Sequence, residues 1–293
     1  MRKEIKNLFG KYNFSPKKFL GQNFLISKNI LRKIVQAAEI SKKDTILEVG
    51  PGIGNLTIEL AKELAKKVHP IKSLRSKFNG AGKVIAVEKD KRMIEILKDV
   101  VKSSNVQNVQ VVHGDILKFP SSSFIVHRSY KVVANIPYYL TSRLIRKFLE
   151  EKRKPKLMIL MVQKEVAQRI CSKPPNMNLL AVSVQFYAKP KILFYVSKNC
   201  FWPRPKVGSA IIRMVPRKSA YSISVDPLLF FKIVKAGFSQ PRKQLANNLS
   251  KGLKLNKKKA RNWLLENEID PSQRAETLRI GDWLKLTKNW CKI

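Results

Sequence analysis

Asn135-Ile136-Pro137-Tyr138 is a short run of groups suited to work on a nucleobase amine. The exocyclic amine of adenine is a poor nucleophile because its lone pair is delocalised into the ring, and acceptors bonded to both N–H groups help to localise it. The Asn135 side-chain oxygen and the Ile136 main-chain carbonyl are two such acceptors, Pro137 stiffens the turn, and Tyr138 offers a face on which a base can stack. Taken alone, the tetrapeptide reads equally well as an ordinary strand-end turn, because Asn and Pro are turn formers. Its position after the fourth strand-like run of a glycine-loop domain shifts the reading toward catalysis.

The second constellation, Glu48-Val49-Gly50-Pro51-Gly52-Ile53-Gly54-Asn55, ends a strand-like run and opens a helix-like one, where α/β sheets build their cofactor crevice. Glycines there permit a tight turn and close backbone approach. A dinucleotide fingerprint counted from Gly50 needs a glycine where this chain has Asn55, and a Walker loop needs Gly-Lys-Ser/Thr, so a phosphate-cradling site is disfavoured. The G-x-G-x-G spacing after an acidic residue suits S-adenosyl-L-methionine, a cationic sulfonium with no phosphate. Glu88 ends the next strand-like run and is placed to accept both ribose hydroxyls. Asp115 follows the one after, placed to accept from the cofactor's adenine amine. A lone glycine loop occurs often by chance, and acidic residues closing both following strands make that reading weaker.

These groups need a sheet that brings strand ends to one edge. Apolar runs at Thr45 to Val49, Lys83 to Glu88, Val109 to His113, Lys131 to Ala134 and Lys156 to Val162 alternate with helix-period segments, the pattern of a mostly parallel sheet covered by helices. Leu56, Leu60 and Leu64 fall on one helical face, which Val68 extends. Val166 and Ile170, then Leu179, Val182 and Phe186, continue at helical spacing before two further strand-like runs, Lys191 to Val196 and Ser209 to Val215. The expected fold is α/β, a doubly wound Rossmann-like sheet over residues 1–216, followed by a small helical domain over 217–293. The boundary falls near Pro216 to Ser224. His69-Pro70 and Asn79-Gly80-Ala81-Gly82 break any helix and predict a surface insertion at about 67–82.

Charge narrows the partner. Lys and Arg number 59 against 20 Asp and Glu, a formal net charge of +39. That balance attracts polyanions and favours nucleic acid over a small metabolite alone, although charged faces of a Lys-rich protein account for it about as well. Cys171, Cys200 and Cys291 form no C-x-x-C pair, and His69, His113 and His127 show no ligand spacing, so neither a metal site nor a disulfide framework is expected. No apolar stretch approaches the roughly 18 residues of a membrane span. The expectation is a soluble, cytoplasmic monomer.

Together these residues make the chain resemble the ribosomal RNA adenine dimethyltransferases, over about residues 15 to 280. Phe19-Leu20-Gly21-Gln22-Asn23-Phe24-Leu25 is similar to the family's N-terminal signature, and the resemblance implies that Gln22, Asn23 and Leu25 border the methionine end of the cofactor. It likewise implies that Glu48 to Thr57 is the glycine motif, Glu88 and Asp115 the ribose and adenine ligands, and Asn135 to Tyr138 the catalytic tetrapeptide. Gln163-Lys164-Glu165-Val166-Ala167-x-Arg169 fits a further motif. Phe201-x-Pro203-x-Pro205-Lys206-Val207-x-Ser209 resembles the segment whose leading aromatic, here Phe201, faces the target base. Asp270-Pro271 through Arg274-Ala275-Glu276 matches a C-terminal motif that favours the small-subunit type.

The chain departs from the family at Met177-Asn178, at Gln240-Pro241-Arg242-Lys243, which has one cation fewer, and at the insertion. These bear on docking more than on chemistry. The implied activity is dimethylation of two adjacent adenines near the 3′ end of 16S rRNA, with the small ribosomal subunit or its precursor as partner. The alternatives are the related 23S rRNA dimethyltransferase of macrolide resistance and a non-catalytic RNA-binding assembly or transcription factor on the same fold.

Overall fold

The computed structural model describes residues 1–16, 21–67, 82–120, 123, 129–217 and 225–290. Val68, His69, His127, Cys291, Phe19, Leu20 and all but the two ends of the expected 67–82 insertion lie outside the described residues. The chain forms two compact units, one of Met1–Ala167 with Lys191–Val215 and one of Gln168–Pro190 with Pro216–Ile293.

In the first unit, helix α1 (Arg2–Lys11), strand β1 (Phe24–Leu25) and helix α2 (Lys28–Ala37) precede an alternation of strands and helices. It runs β2 (Thr45–Val49), α3 (Asn55–Lys66), β3 (Lys83–Glu88), α4 (Lys91–Ser103), β4 (Val109–His113), β5 (Tyr130–Asn135), α5 (Thr141–Glu150) and β6 (Leu157–Gln163). Helix α6 (Lys164–Ile170) begins in this unit and α7 (Leu179–Tyr187) belongs to the second; the chain then returns as β7 (Ala188–Val196), β8 (Phe201–Trp202) and β9 (Ser209–Pro216).

The seven-stranded sheet has the order β4-β3-β2-β5-β6-β9-β7. Pairs β2–β3, β2–β5, β3–β4 and β5–β6 are parallel, and β9 runs antiparallel to β6. Every residue of β2 is buried, as a strand covered on both faces requires. Helix α3 buries Leu56, Leu60 and Leu64, the four-residue row seen in the sequence. The chain leaves β2 toward β3 and β4, then returns to the other side of β2 as β5. This reversal of strand order opens a crevice at the carboxyl ends of β2 and β5, where α/β sheets bind ligands.

The second unit is helical: α7, α8 (Pro227–Gly237), α9 (Leu245–Leu253), α10 (Lys257–Glu266) and α11 (Ile280–Lys288) enclose a core with Phe186, Phe230, Trp263 and Trp283. A single break at residue 216 does not describe this division, because residues 168–190 group with the C-terminal part. The reason is burial. Ala181, Val182 and Phe186 of α7 join that core, and the Phe186 and Phe230 rings stand 4.3 Å apart.

Candidate active site

The glycine loop lies between the end of β2 and the start of α3, with φ of +65° at Gly50, +56° at Gly52 and +85° at Gly54, conformations that L side chains rarely adopt. The Gly50 N–H donates to the Val87 carbonyl at 3.0 Å, which carries the β2–β3 ladder one bond past the end of β2. A β-carbon on Gly52 would stand 3.0 Å from the Phe24 ring, and one on Gly54 2.6 Å from Leu97 Cδ1. The loop borders a cavity of about 360 Å³ whose wall includes Gln22, Asn23, Leu25, Glu48, Asp115 and Asn135. Sequence positions more than a hundred residues apart thus converge on one crevice.

Glu88 is nearly buried at the end of β3. Its Oε1 accepts the Lys89 and Asp90 N–H groups at 2.7 and 2.9 Å, and its Oε2 accepts the Gly52 N–H at 3.2 Å. Burial raises its pKa above the usual carboxylate value, with those three N–H bonds opposing and the Asp90 charge adding. A carboxylate offers about four acceptor positions, so one remains on Oε2. Reception of both ribose hydroxyls, as expected from the sequence, would therefore require sharing. Asp115 accepts the Leu117 N–H through Oδ1 at 3.0 Å and pairs with Lys89 Nζ through Oδ2 at 3.0 Å. Burial pushes its pKa up, but these two partners prevail and hold it below the ordinary value.

Glu48 is the most perturbed acid of the site. Its side chain is 1% exposed, Oε2 accepts no hydrogen bond, and burial pushes its pKa up to about 8, opposed by the Thr57 hydroxyl and reinforced by Glu88. A carboxyl whose folded pKa lies above its unfolded value holds its proton more tightly in the native state. The stability it adds is complete below about pH 4.5 and is lost as pH rises through about 8. Glu48→Gln is therefore expected to flatten the fall in melting temperature between pH 5 and 8.5 relative to the unaltered chain. Thermal unfolding across that range checks this, and parallel curves would reject it.

The N-terminal segment is tied to both halves of the crevice. Asn135 Nδ2 donates to the Asn23 carbonyl at 3.3 Å, Asn55 Nδ2 donates to the Leu25 carbonyl at 2.8 Å, and Gln22 Nε2 donates to Asp90 Oδ2 at 3.3 Å. Asn55, the residue that breaks the dinucleotide pattern, thus fastens β1 to the first turn of α3. With its amide nitrogen used, Asn135 presents Oδ1, which accepts from no described residue. Ile136 is buried, and its N–H donates to the Met161 carbonyl at 3.3 Å, anchoring the tetrapeptide to β6. The Tyr138 hydroxyl and Ser209 Oγ are 2.8 Å apart, so the phenol is held by β9. Burial raises the Tyr138 pKa, and the Ser209 bond partly opposes it.

Phe201, the aromatic expected to face the target base, is buried in this structure. It is 4% exposed, packed in the core that includes Leu25, Leu31 and Ile34, and paired across from Leu25 in the β1–β8 ladder. At that exposure the ring presents little surface for a base, and its contacts are with the core and with the strand that carries Leu25. Asp90 and Tyr139 line the cavity without having been singled out from the sequence, and Phe24, named there only as part of the N-terminal signature, lines it as well. Of these, Tyr139 is 54% exposed. Its only sequence signal was adjacency to Tyr138.

The crevice has Glu88 ending one strand and Asp115 following its neighbour, a buried Glu48 whose burial keeps its carboxyl protonated near neutral pH, and no Lys or Arg within its glycine loop, so that loop offers no side-chain cation to a phosphate. Residues 13–292 match the model of the family described as ribosomal RNA adenine dimethylase. A Dehalococcoides mccartyi protein named ribosomal RNA small subunit methyltransferase A is 40% identical over 97% of this chain and 91% of its own length. A protein of the same name from Alkaliphilus oremlandii is 41% identical over 99% of this chain and 97% of its own. The crystal structure of a dimethyladenosine transferase from Plasmodium falciparum superposes with a TM-score of 0.73 at 27% identity, covering 92% of this chain and 98% of that one. That of the 23S rRNA methyltransferase ErmE, at 23% identity and a TM-score of 0.68 over 91% of this chain and 98% of its own, shares the fold. With the family model matched over residues 13–292, about 40% identity to relatives over nearly the whole chain, and a glycine loop and an Asn-Ile-Pro-Tyr turn at one sheet edge, the chain belongs to the ribosomal RNA adenine dimethylase family.

Proposed function

We propose that the chain transfers methyl groups from S-adenosyl-L-methionine to the N6 amines of two adjacent adenines near the 3′ end of 16S rRNA. The product is N6,N6-dimethyladenine, made on the small ribosomal subunit or its precursor. The observation that carries the reading is Asn135, tethered through its amide nitrogen with its oxygen turned free beside the cavity. When bound, the cofactor supplies an electrophilic methyl on a sulfonium.

The residues divide the remaining work. Gly50, Gly52 and Gly54 let the backbone approach the ligand, and Glu88 and Asp115 receive its ribose and adenine. Gln22, Asn23, Leu25 and Glu48 border its methionine end. Asn135 Oδ1 and the Ile136 carbonyl accept the two N–H bonds of the target amine, raising electron density on nitrogen along the line of attack. Pro137 limits the motion of that carbonyl, and Tyr138, fixed by Ser209, stacks on an adenine drawn out of its neighbours. Each transfer leaves the cofactor sulfur as a neutral thioether and sheds one amine proton to water; after the first, a single N–H remains for one of the two acceptors, and a second transfer with fresh cofactor replaces it by the second methyl.

Docking of the RNA draws on the positive charge. Each Lys or Arg that neutralises a phosphate should add about −0.7 to the slope of log K against log salt for single strands. Titration of a 16S 3′-end fragment at several salt concentrations is expected to give a steep, linear fall in affinity, and a flat response would reject the electrostatic docking. No helix among the described residues is long and apolar enough to cross a membrane. The reading as a whole is tested by offering methyl-labelled cofactor with unmodified small or large subunits in parallel. Label in 16S rRNA supports it, label in 23S rRNA supports the macrolide-resistance type, and no label in either supports a non-catalytic factor.

A further inference from the structure

The N-terminal helix α1 ends before residue 13, where the family match begins. Its sequence, Arg-Lys-Glu-Ile-Lys-Asn-Leu-Phe-Gly-Lys, exposes most of its charged side chains and buries two apolar ones, Ile5 and Phe9, four residues apart on one face. They enter a small cluster separate from the sheet core, made with Phe14, Phe24, Ile53, Met93 and Ile96. Phe9 lies at the middle of its aromatic part, with ring centroids 4.8 Å from Phe14, 5.3 Å from Phe24 and 5.5 Å from Trp202. At the end of the helix, Lys11 Nζ pairs with Asp99 of α4 at 3.2 Å, and the Tyr12 hydroxyl bonds the same carboxylate.

What sits on the other side of this cluster gives it a consequence. Phe24, Ile53 and Met93 all line the cavity, whereas Ile5 and Phe9 do not. Ile53 is the residue between Gly52 and Gly54, and the Phe24 ring lies against Gly52. A glycine-rich loop has no side chains at Gly50, Gly52 or Gly54 with which to fix itself, so its conformation depends on what packs behind it.

We propose that α1, through Phe9 and Ile5, is the positioning element of the glycine loop, setting cofactor affinity from behind without touching the cofactor. This rests on the cofactor reading above for its binding consequence, and on packing alone for its effect on the loop. Phe9 is a positioning residue. Its removal leaves a cavity behind Phe24 and Ile53 into which the loop can relax.

The test uses the full-length chain and its Phe9→Ala and Phe9→Leu variants. Amide hydrogen exchange of the ligand-free proteins should show faster exchange at residues 52–56 in Phe9→Ala, with residues of β5 and β6 unchanged. Calorimetric titration with S-adenosylmethionine, at a temperature where circular dichroism shows each variant folded, should give a Kd raised roughly tenfold for Phe9→Ala, the equivalent of about 1.4 kcal/mol. Phe9→Leu should recover most of that loss, and it carries the test if Phe9→Ala does not fold. A merely structural helix predicts a lower melting temperature with unchanged exchange at the loop and unchanged Kd, and that result overturns the inference. Failure of the unaltered chain to bind the cofactor overturns the cofactor reading and the binding half of the inference, while the exchange result decides the packing half separately.

Discussion

Asn135→Ala is expected to bind S-adenosylmethionine with little change and to lose about a hundredfold in methyl transfer. The loss corresponds to about 3 kcal/mol, the scale of removing one positioned hydrogen-bonding group at a reacting centre. The side chain has two separable jobs. Its nitrogen donates to the Asn23 carbonyl and its oxygen is the free acceptor beside the cavity. Asn135→Asp keeps an acceptor and gives up the donor, so it should fall between the Ala variant and the unaltered chain. Single-turnover rates at saturating cofactor separate the steps, since loss of a contact made only in the transition state appears in the rate and not in binding. Turnover of Asn135→Ala near that of the unaltered chain would remove Asn135 from the chemistry.

Phe201→Ala is expected to act through stability. Truncation of a fully buried phenylalanine costs about 3 to 5 kcal/mol, which for a unit of this size lowers the melting temperature by roughly 10 °C. Because Phe201 pairs with Leu25, and the residues beside Leu25 bond Asn135 and border the cavity, cofactor affinity should fall with it. A base-stacking role would instead leave the melting temperature and cofactor affinity in place and slow methylation alone. Melting curves and cofactor titration on this one variant distinguish the two.

The elements that carry the site are legible because they repeat simple patterns. β2, β3 and β4 have the bounds of their apolar runs, and the row of Leu56, Leu60 and Leu64 is a buried helical face. Glu88 and Asp115 mark the crevice because the chain just past a strand end supplies the N–H groups that hold a carboxylate, three for Glu88 and one for Asp115. What sequence could not supply is the packing partner of a side chain. Phe201 as an aromatic in a Pro-rich segment reads as an open stacking face, and only the pairing of two short strands distant in sequence buries it. Residues 168–190 follow a strand of the sheet, so adjacency assigns them to it. The apolar face of α7 finds its partners in α8 instead. Asp115 looks like a free acceptor until Lys89, 26 positions earlier, is found beside it. Glu48 is recognisable as an acid at a strand end, whereas its buried, unpartnered oxygen depends on the whole surrounding sheet.

The most direct test of the account is to methylate unmodified small subunits to completion with the purified chain and cofactor, digest the 16S rRNA and identify the modified nucleosides by mass and position. The expected result is N6,N6-dimethyladenine at two adjacent positions near the 3′ end, with two methyl groups on each, and none from Asn135→Ala on the same timescale. Methyl groups confined to other nucleosides, to a single adenine elsewhere in the RNA, or absent despite bound cofactor would contradict it.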